Sequence, residues 1–192
     1  MRVPLTVMAA TAITATLVGV SACGNDSKSS TPAPGSSTTT HPPISDYTTL
    51  LIKAGDIKAP DPFTAGPATK DPNGQQGATI TFTDQDHSHA IIDTIQILPD
   101  IEAAASALDS AKATHRETLL AKSLNAEVGV GGSTISGLSP DHSKGVTVLV
   151  FTEGKAMVTL EFDGPSFALA PPEFVTEVGQ KQDDAIKKGL GS

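Results

Sequence analysis

Cys23 is the only thiol in a chain of 192 residues. It closes the segment Leu17-Val18-Gly19-Val20-Ser21-Ala22-Cys23-Gly24. An apolar residue, two small residues and a cysteine in that order suit a sulfur that is to be alkylated. Small side chains leave the backbone open to an enzyme, and only a thiolate is nucleophilic enough for the transfer. A buried structural cysteine and a free reactive thiol are the competing readings, and neither accounts for the apolar run in front of Cys23.

Other residues of chemically capable type cluster in Asp84-Gln85-Asp86-His87-Ser88-His89. On an extended segment His87 and His89 project to the same side. With Asp84 and Asp86 they offer imidazole and carboxylate ligands of the kind zinc or copper takes. The plainer reading is a polar hairpin turn, which needs such residues without any metal. Asp141-His142-Ser143 holds the three residue types of a hydrolase triad, but adjacent in sequence, whereas a triad is assembled from separate elements. Gly131-Gly132-Ser133-Thr134-Ile135 lacks the second glycine of a nucleophile elbow, and Gly137 comes two places too late. The same glycines, with Gly129, lack the Gly-Lys-Ser/Thr of a phosphate loop and read as a bulge or a close backbone approach. His115 falls on the apolar stripe of a helix, where a partly buried core histidine is the plainer reading than a ligand. Asp93, Glu161 and Asp163 fall in or at the ends of strands, with no sign in the sequence that any two are paired for acid–base work. No catalytic residue and no cofactor is expected from these patterns.

The elements that carry these residues follow from composition. Met1-Arg2 precedes an uncharged run from Val3 to Val20, rich in Ala, Gly and Thr. It reads as a signal peptide over 1–22. A transmembrane helix is the alternative on length, but the run is only modestly hydrophobic and ends in small residues, with no stop-transfer cluster. From Asn25 to Pro43 there is no large apolar residue, only Ser, Thr, Pro, Gly, one Ala and a few polar groups. Such a stretch cannot bury enough surface to offset ordering entropy, so 23–43 reads as a modified cysteine followed by a flexible tether. Residues 44–192 are of one-domain size. The formal charge is −8 for the full chain, and loss of residues 1–22, which removes Arg2 and no acid, takes it to −9. An acidic chain without a basic patch is a poor binder of nucleic acid, and anionic lipid headgroups repel it.

Within the domain, Tyr47, Leu50, Leu51 and Ala54 have helical spacing behind a Ser45 cap. Phe63 to Gly77 reads as loop. Ala78 to Thr83 alternates strictly and pairs with a β-branched return strand, Ala90 to Leu98. Asp100 caps a helix that runs to about Ala121 on a stripe of Ile101, Ala105, Leu108, Ala111, His115 and Leu119. Glu127 to Leu138 is a glycine-rich strand region. Gly145 to Phe162 is a hairpin about Glu153-Gly154-Lys155, its first strand apolar on both faces and therefore central. Pro171-Pro172-Glu173 opens a last helix with Phe174, Val178, Ala185 and Ile186 buried and Lys187-Lys188 at its carboxyl end. The expected class is α+β: a twisted antiparallel sheet of four to six strands with helices packed on one face.

The cysteine segment resembles that of bacterial prolipoproteins, in which the sulfur receives a diacylglycerol and the preceding segment is removed. With the tether, Ile44-Ser45-Asp46-Tyr47 and the order of elements, the layout resembles mycobacterial cell-envelope lipoproteins of the LpqN kind. The order also resembles extracellular sensor-like domains of related actinobacterial proteins. The resemblance implies a lipid-anchored protein on the extracytoplasmic face of the cell membrane. Such a protein would bind a small apolar ligand or an envelope protein. An envelope hydrolase, or a metal-binding lipoprotein using Asp84 to His89, is the alternative.

Overall fold

The computed structural model describes residues 45–191. The signal segment 1–22, Cys23 and the tether to residue 43 lie outside the described residues. Among the described residues no helix is long and apolar enough to cross a membrane.

Eight antiparallel strands form one sheet. They are β1 (Thr64–Ala65), β2 (Thr69–Lys70), β3 (Gly77–Thr83), β4 (Ala90–Ile97), β5 (Ser123–Asn125), β6 (Val130–Leu138), β7 (Lys144–Glu153) and β8 (Ala156–Pro165). Their spatial order is β1-β3-β4-β8-β7-β6-β5, with β2 also paired to β3. Helix α1 (Ile101–Thr118) follows β4, and α2 (Pro172–Leu190) ends the domain. The α+β class and the antiparallel sheet are as expected. The strand number exceeds expectation because β1, β2 and β5 are two or three residues each, too short to show a periodicity.

Alternation in β4 and β8 is strict. Ile91, Asp93, Ile95 and Ile97 are buried on β4, and Ala156, Val158, Leu160 and Phe162 on β8. These residues join Ala78, Ile80 and Phe82 of β3 in a core closed by Val175, Val178 and Ile186 of α2. β7 is buried on both faces. Its Leu149 and Phe151 belong to that core, whereas Val146, Val148 and Val150 meet Leu108 and Leu119 on the other side. The two helices therefore divide between the faces, α2 on one and α1 on the other, where a single covered face was expected. A central strand with apolar residues on both sides requires this, because each buried Val or Leu is worth about 1.5–3 kcal/mol only when something covers it. On α1 the buried positions are Ala104 and Leu108, and Ile101 is exposed.

Asp100 caps α1 through an Ala103 N–H to Oδ1 bond of 2.7 Å. Pro172 starts α2, and Gly191 ends it with φ +71 and an N–H to the Lys187 carbonyl. Gly179 lets α2 lie directly on the sheet, since a Cβ there would clash with Leu149 and crowd Val128. The glycine-rich stretch is β6, with a register shift between Val130 and Ser133, the bulge its composition announced.

The expected first helix is instead a short 3₁₀ turn, Tyr47–Leu50, capped by Asp46 and not by Ser45. Leu50, Leu51 and Ile52 are all buried in succession. A helix would turn one of the three to solvent, whereas an extended strap buries them all. The backbone groups of the strap are then met by α2: Gln182 Nε2 donates to the Leu50 carbonyl at 2.8 Å, and its Oε1 accepts from the Ile52 N–H at 2.9 Å.

Candidate functional site

The β3–β4 connection, Asp84 to His89, folds around one carboxylate. Asp84 is 6 % exposed, covered by its own turn. Its oxygens accept the His89 N–H at 3.1 and 3.2 Å, the Ser88 hydroxyl at 3.1 Å and His89 Nδ1 at 2.8 Å. Burial pushes this carboxyl up, but the His89 N–H, the His89 ring and the Ser88 hydroxyl together outweigh it and hold the group at about 2. Asp86 accepts the Ser88 N–H at 3.0 Å. His87, with φ +60, is exposed outside this network. Of the four residues considered as metal ligands, the structure brings Asp84 and His89 together as a hydrogen-bonded pair and gives Asp86 and His87 to the turn. Among the described residues no three His, Cys, Asp or Glu side chains converge on a common point.

The Asp84–His89 pair lines a cavity of about 200 Å³. Its walls are mainly apolar, from Phe63, Ile91, Phe162, Leu169, Pro171 and Phe174. Phe162 and Phe174 meet edge to face, centroids 5.8 Å apart at 72°. The His89 ring lies over Gly164, where a Cβ would stand 3.0 Å from its Cδ2, so glycine makes room for the imidazole. Between β8 and α2, Phe167 is 90 % exposed beside the lining residues Ala168 and Leu169. With Nδ1 held by Asp84, His89 Nε2 is the nitrogen left to address a ligand. No hydroxyl is bonded to Nε2 among the described residues; Ser88 Oγ lies 2.9 Å from the same Nδ1 that Asp84 holds.

A second, polar groove of about 400 Å³ separates the end of α1 from the β6–β7 turn. His115 lines it, half-buried, and burial holds its pKa below the ordinary value. Lys144 Nζ bonds Asp163 Oδ2 at 2.7 Å. Burial raises the Glu161 pKa, and the charge of Asp163 and a hydrogen bond shared with it add to the effect. Two of the strand carboxylates are thus paired, through the two-residue periodicity of β8. Asp141 is spent on the turn: it accepts the Ser139 hydroxyl at 2.6 Å and the Ser143 N–H at 3.1 Å, and these serines hold it at about 2. His142 adopts φ +59 in that turn and donates its N–H to the Ser139 carbonyl at 2.8 Å. Ser133 is buried on β6 with its hydroxyl toward the Gly131 carbonyl at 3.4 Å. Neither serine motif forms a nucleophile site.

Sequence reasoning did not find the cavity. Phe63 falls in an expected loop, Ile91 and Phe162 in strands by their alternation, Phe174 on a helical stripe, and Leu169 in no expected element. Their meeting at one end of the sheet has no local signature.

No family model matches this chain, and no curated protein does. Among solved structures it is similar to the extracellular domain of PknH from Mycobacterium tuberculosis. That likeness has a TM-score of 0.56 at 10 % identity and covers 77 % of this chain and 99 % of that one. At this identity the likeness is one of fold, and it agrees with the expected resemblance to extracellular sensor-like domains.

Proposed function

We propose that this chain is a lipid-anchored, extracytoplasmic binding module whose cavity takes the apolar part of a small ligand. The observation that carries the reading is the cavity itself: five large apolar side chains around one hydrogen-bonded Asp–His pair. Apolar walls supply affinity and a single polar pair supplies orientation, the usual division in ligand sites. Asp61 and Asp84 also line it. The acidic lining and the −9 charge left after loss of residues 1–22 disfavour an anionic head group, so the ligand is neutral or cationic at its polar end.

The fold of an extracellular domain supports a place outside the cytoplasm, and the Val20-Ser21-Ala22-Cys23 pattern supports a diacylglycerol on Cys23 as the link to the membrane. Two acyl chains or more are enough for stable anchoring. An enzymatic use of the Asp84–His89 pair would need a nucleophile on Nε2, and among the described residues no hydroxyl is bonded to that nitrogen.

Two measurements test the proposal. Native mass spectrometry of the protein released from its own envelope should retain a bound apolar molecule, and Nile red should bind with saturation and be displaced by it. A chain that binds neither is not this module. Cys23→Ala should leave the protein unprocessed or free of the membrane; a Cys23→Ala chain of mature size in the membrane fraction would refute the anchor alone.

A further inference from the structure

Asp93 lies at the centre of the core beneath α2. It is wholly buried, between Ile80 of β3 and Leu160 of β8 in the strand register, with Ile91 and Ile95 beside it on β4. Neither of its oxygens has a hydrogen-bond partner. Above it passes the strap Leu50–Ile52, whose Ile52 N–H is bonded to Gln182 and not to Asp93. It donates to Gln182 Oε1 at 2.9 Å, and its nearness to Asp93 is the one influence that opposes the effect of burial on that carboxyl. No charge faces Asp93 from any packed element. β3 and β8 present Ile80 and Leu160, the strap presents Leu50 and Ile52, and α2 presents the neutral Gln182. The next α2 residue, Asp183, is bonded to Lys187 at 2.6 Å. A carboxylate without partner or counter-charge is among the costliest groups to bury, whereas a neutral carboxyl is tolerable.

We infer that Asp93 is a proton-operated latch: protonated, it lets the strap and α2 close on the sheet, and its ionisation drives them off. The cavity takes Ala59, Pro60, Asp61 and Phe63 from the chain that follows the strap beyond the 3₁₀ turn Ala54–Asp56, and Pro171 and Phe174 from the start of α2. Closure of the latch therefore tightens the cavity, a consequence that rests on the binding function proposed above. Burial raises the Asp93 pKa to about 8, against 3.8 for the exposed group. Between those values opening releases a proton, so the opening equilibrium grows about tenfold per pH unit. The device tightens on acidification within the range an envelope meets.

The test is hydrogen exchange of the Ile52 amide in the full-length chain at pH 5 and 7, corrected for intrinsic exchange. The opening constant should be about 100-fold larger at pH 7, and Asp93→Asn should flatten it to within a few-fold. A flat wild-type profile, or a slope that survives in Asp93→Asn, overturns the latch. If that variant does not fold, Asp93→Leu and a carbon-13 titration of the Asp93 carboxyl take its place; a midpoint near 4 overturns the latch directly. Nile red measured in parallel separates the two proposals. A dye that binds at no pH refutes the cavity reading and leaves the latch to the amide data. A dye affinity independent of pH refutes the coupling.

Discussion

Gln182 on the last helix accepts the N–H of Ile52, 130 residues earlier, at 2.9 Å, and both residues are buried. The Nε2 of Gln182 donates to the Leu50 carbonyl at 2.8 Å. One side chain thus supplies both backbone partners that an extended strap crossing a core would otherwise lack.

Gln182→Ala should cost about 2–4 kcal/mol of unfolding free energy, since it orphans a buried donor and a buried acceptor. Chemical denaturation measures this directly. A loss below about 0.5 kcal/mol would mean that water replaces the amide and that the strap is not locked.

Stability should fall as pH rises through neutrality. The Asp93 pKa is about 8 when folded and near 3.8 when exposed. The stabilising proton is fully bound below 3.8 and lost as pH rises through 8. In that window the loss is about 1.4 kcal/mol per pH unit. Urea midpoints in wild type should decline from about pH 5 to 7, while Asp93→Asn should be nearly level.

Asp84 acts in the opposite sense at lower pH. Its folded pKa of about 2 lies below 3.8. Its contribution is present above 3.8 and lost as pH falls through 2. Together the two carboxyls place the stability maximum near pH 4, where both titrate in the unfolded chain, and a maximum at pH 7 would contradict the Asp93 assignment. Asp84→Ala should cost about 2 kcal/mol at pH 7, measured by urea denaturation.

Ala170→Trp should abolish Nile red binding with little change in melting temperature. Ala170 lines the cavity and is only partly buried, so a large side chain has room in the void and no room beside a ligand. Undiminished dye binding would place the site elsewhere.

Much of the fold was legible in local pattern. The β3–β4 and β7–β8 hairpins, α1 with its Asp100 cap and α2 from Pro172 follow from periods of two and 3.6 and from capping residues, all set by neighbours in the chain. The strap was not. Tyr47, Leu50, Leu51 and Ala54 suit a helical stripe, and only the sheet beneath and Gln182 above favour the extended form, which buries Ile52 as well. The side taken by each helix was half legible: β7 announced two buried faces, but not which helix covers which.

The long strands β3, β4, β7 and β8, the two α-helices, the acidic charge and the Val20-Ser21-Ala22-Cys23 motif could be read without coordinates, because each is a property of adjacent or periodically spaced residues. Only the tertiary structure decided what Asp84, Asp93 and His89 are. Asp84 and His89 form a pair beside a cavity because β4 and β8 align Ile91 with Phe162 at the open end of the sheet. Asp93 is buried without a partner because it shares the inward face of β4 with three isoleucines. A carboxyl's character is set by what surrounds it in space, and that is a sum over residues far apart in the chain.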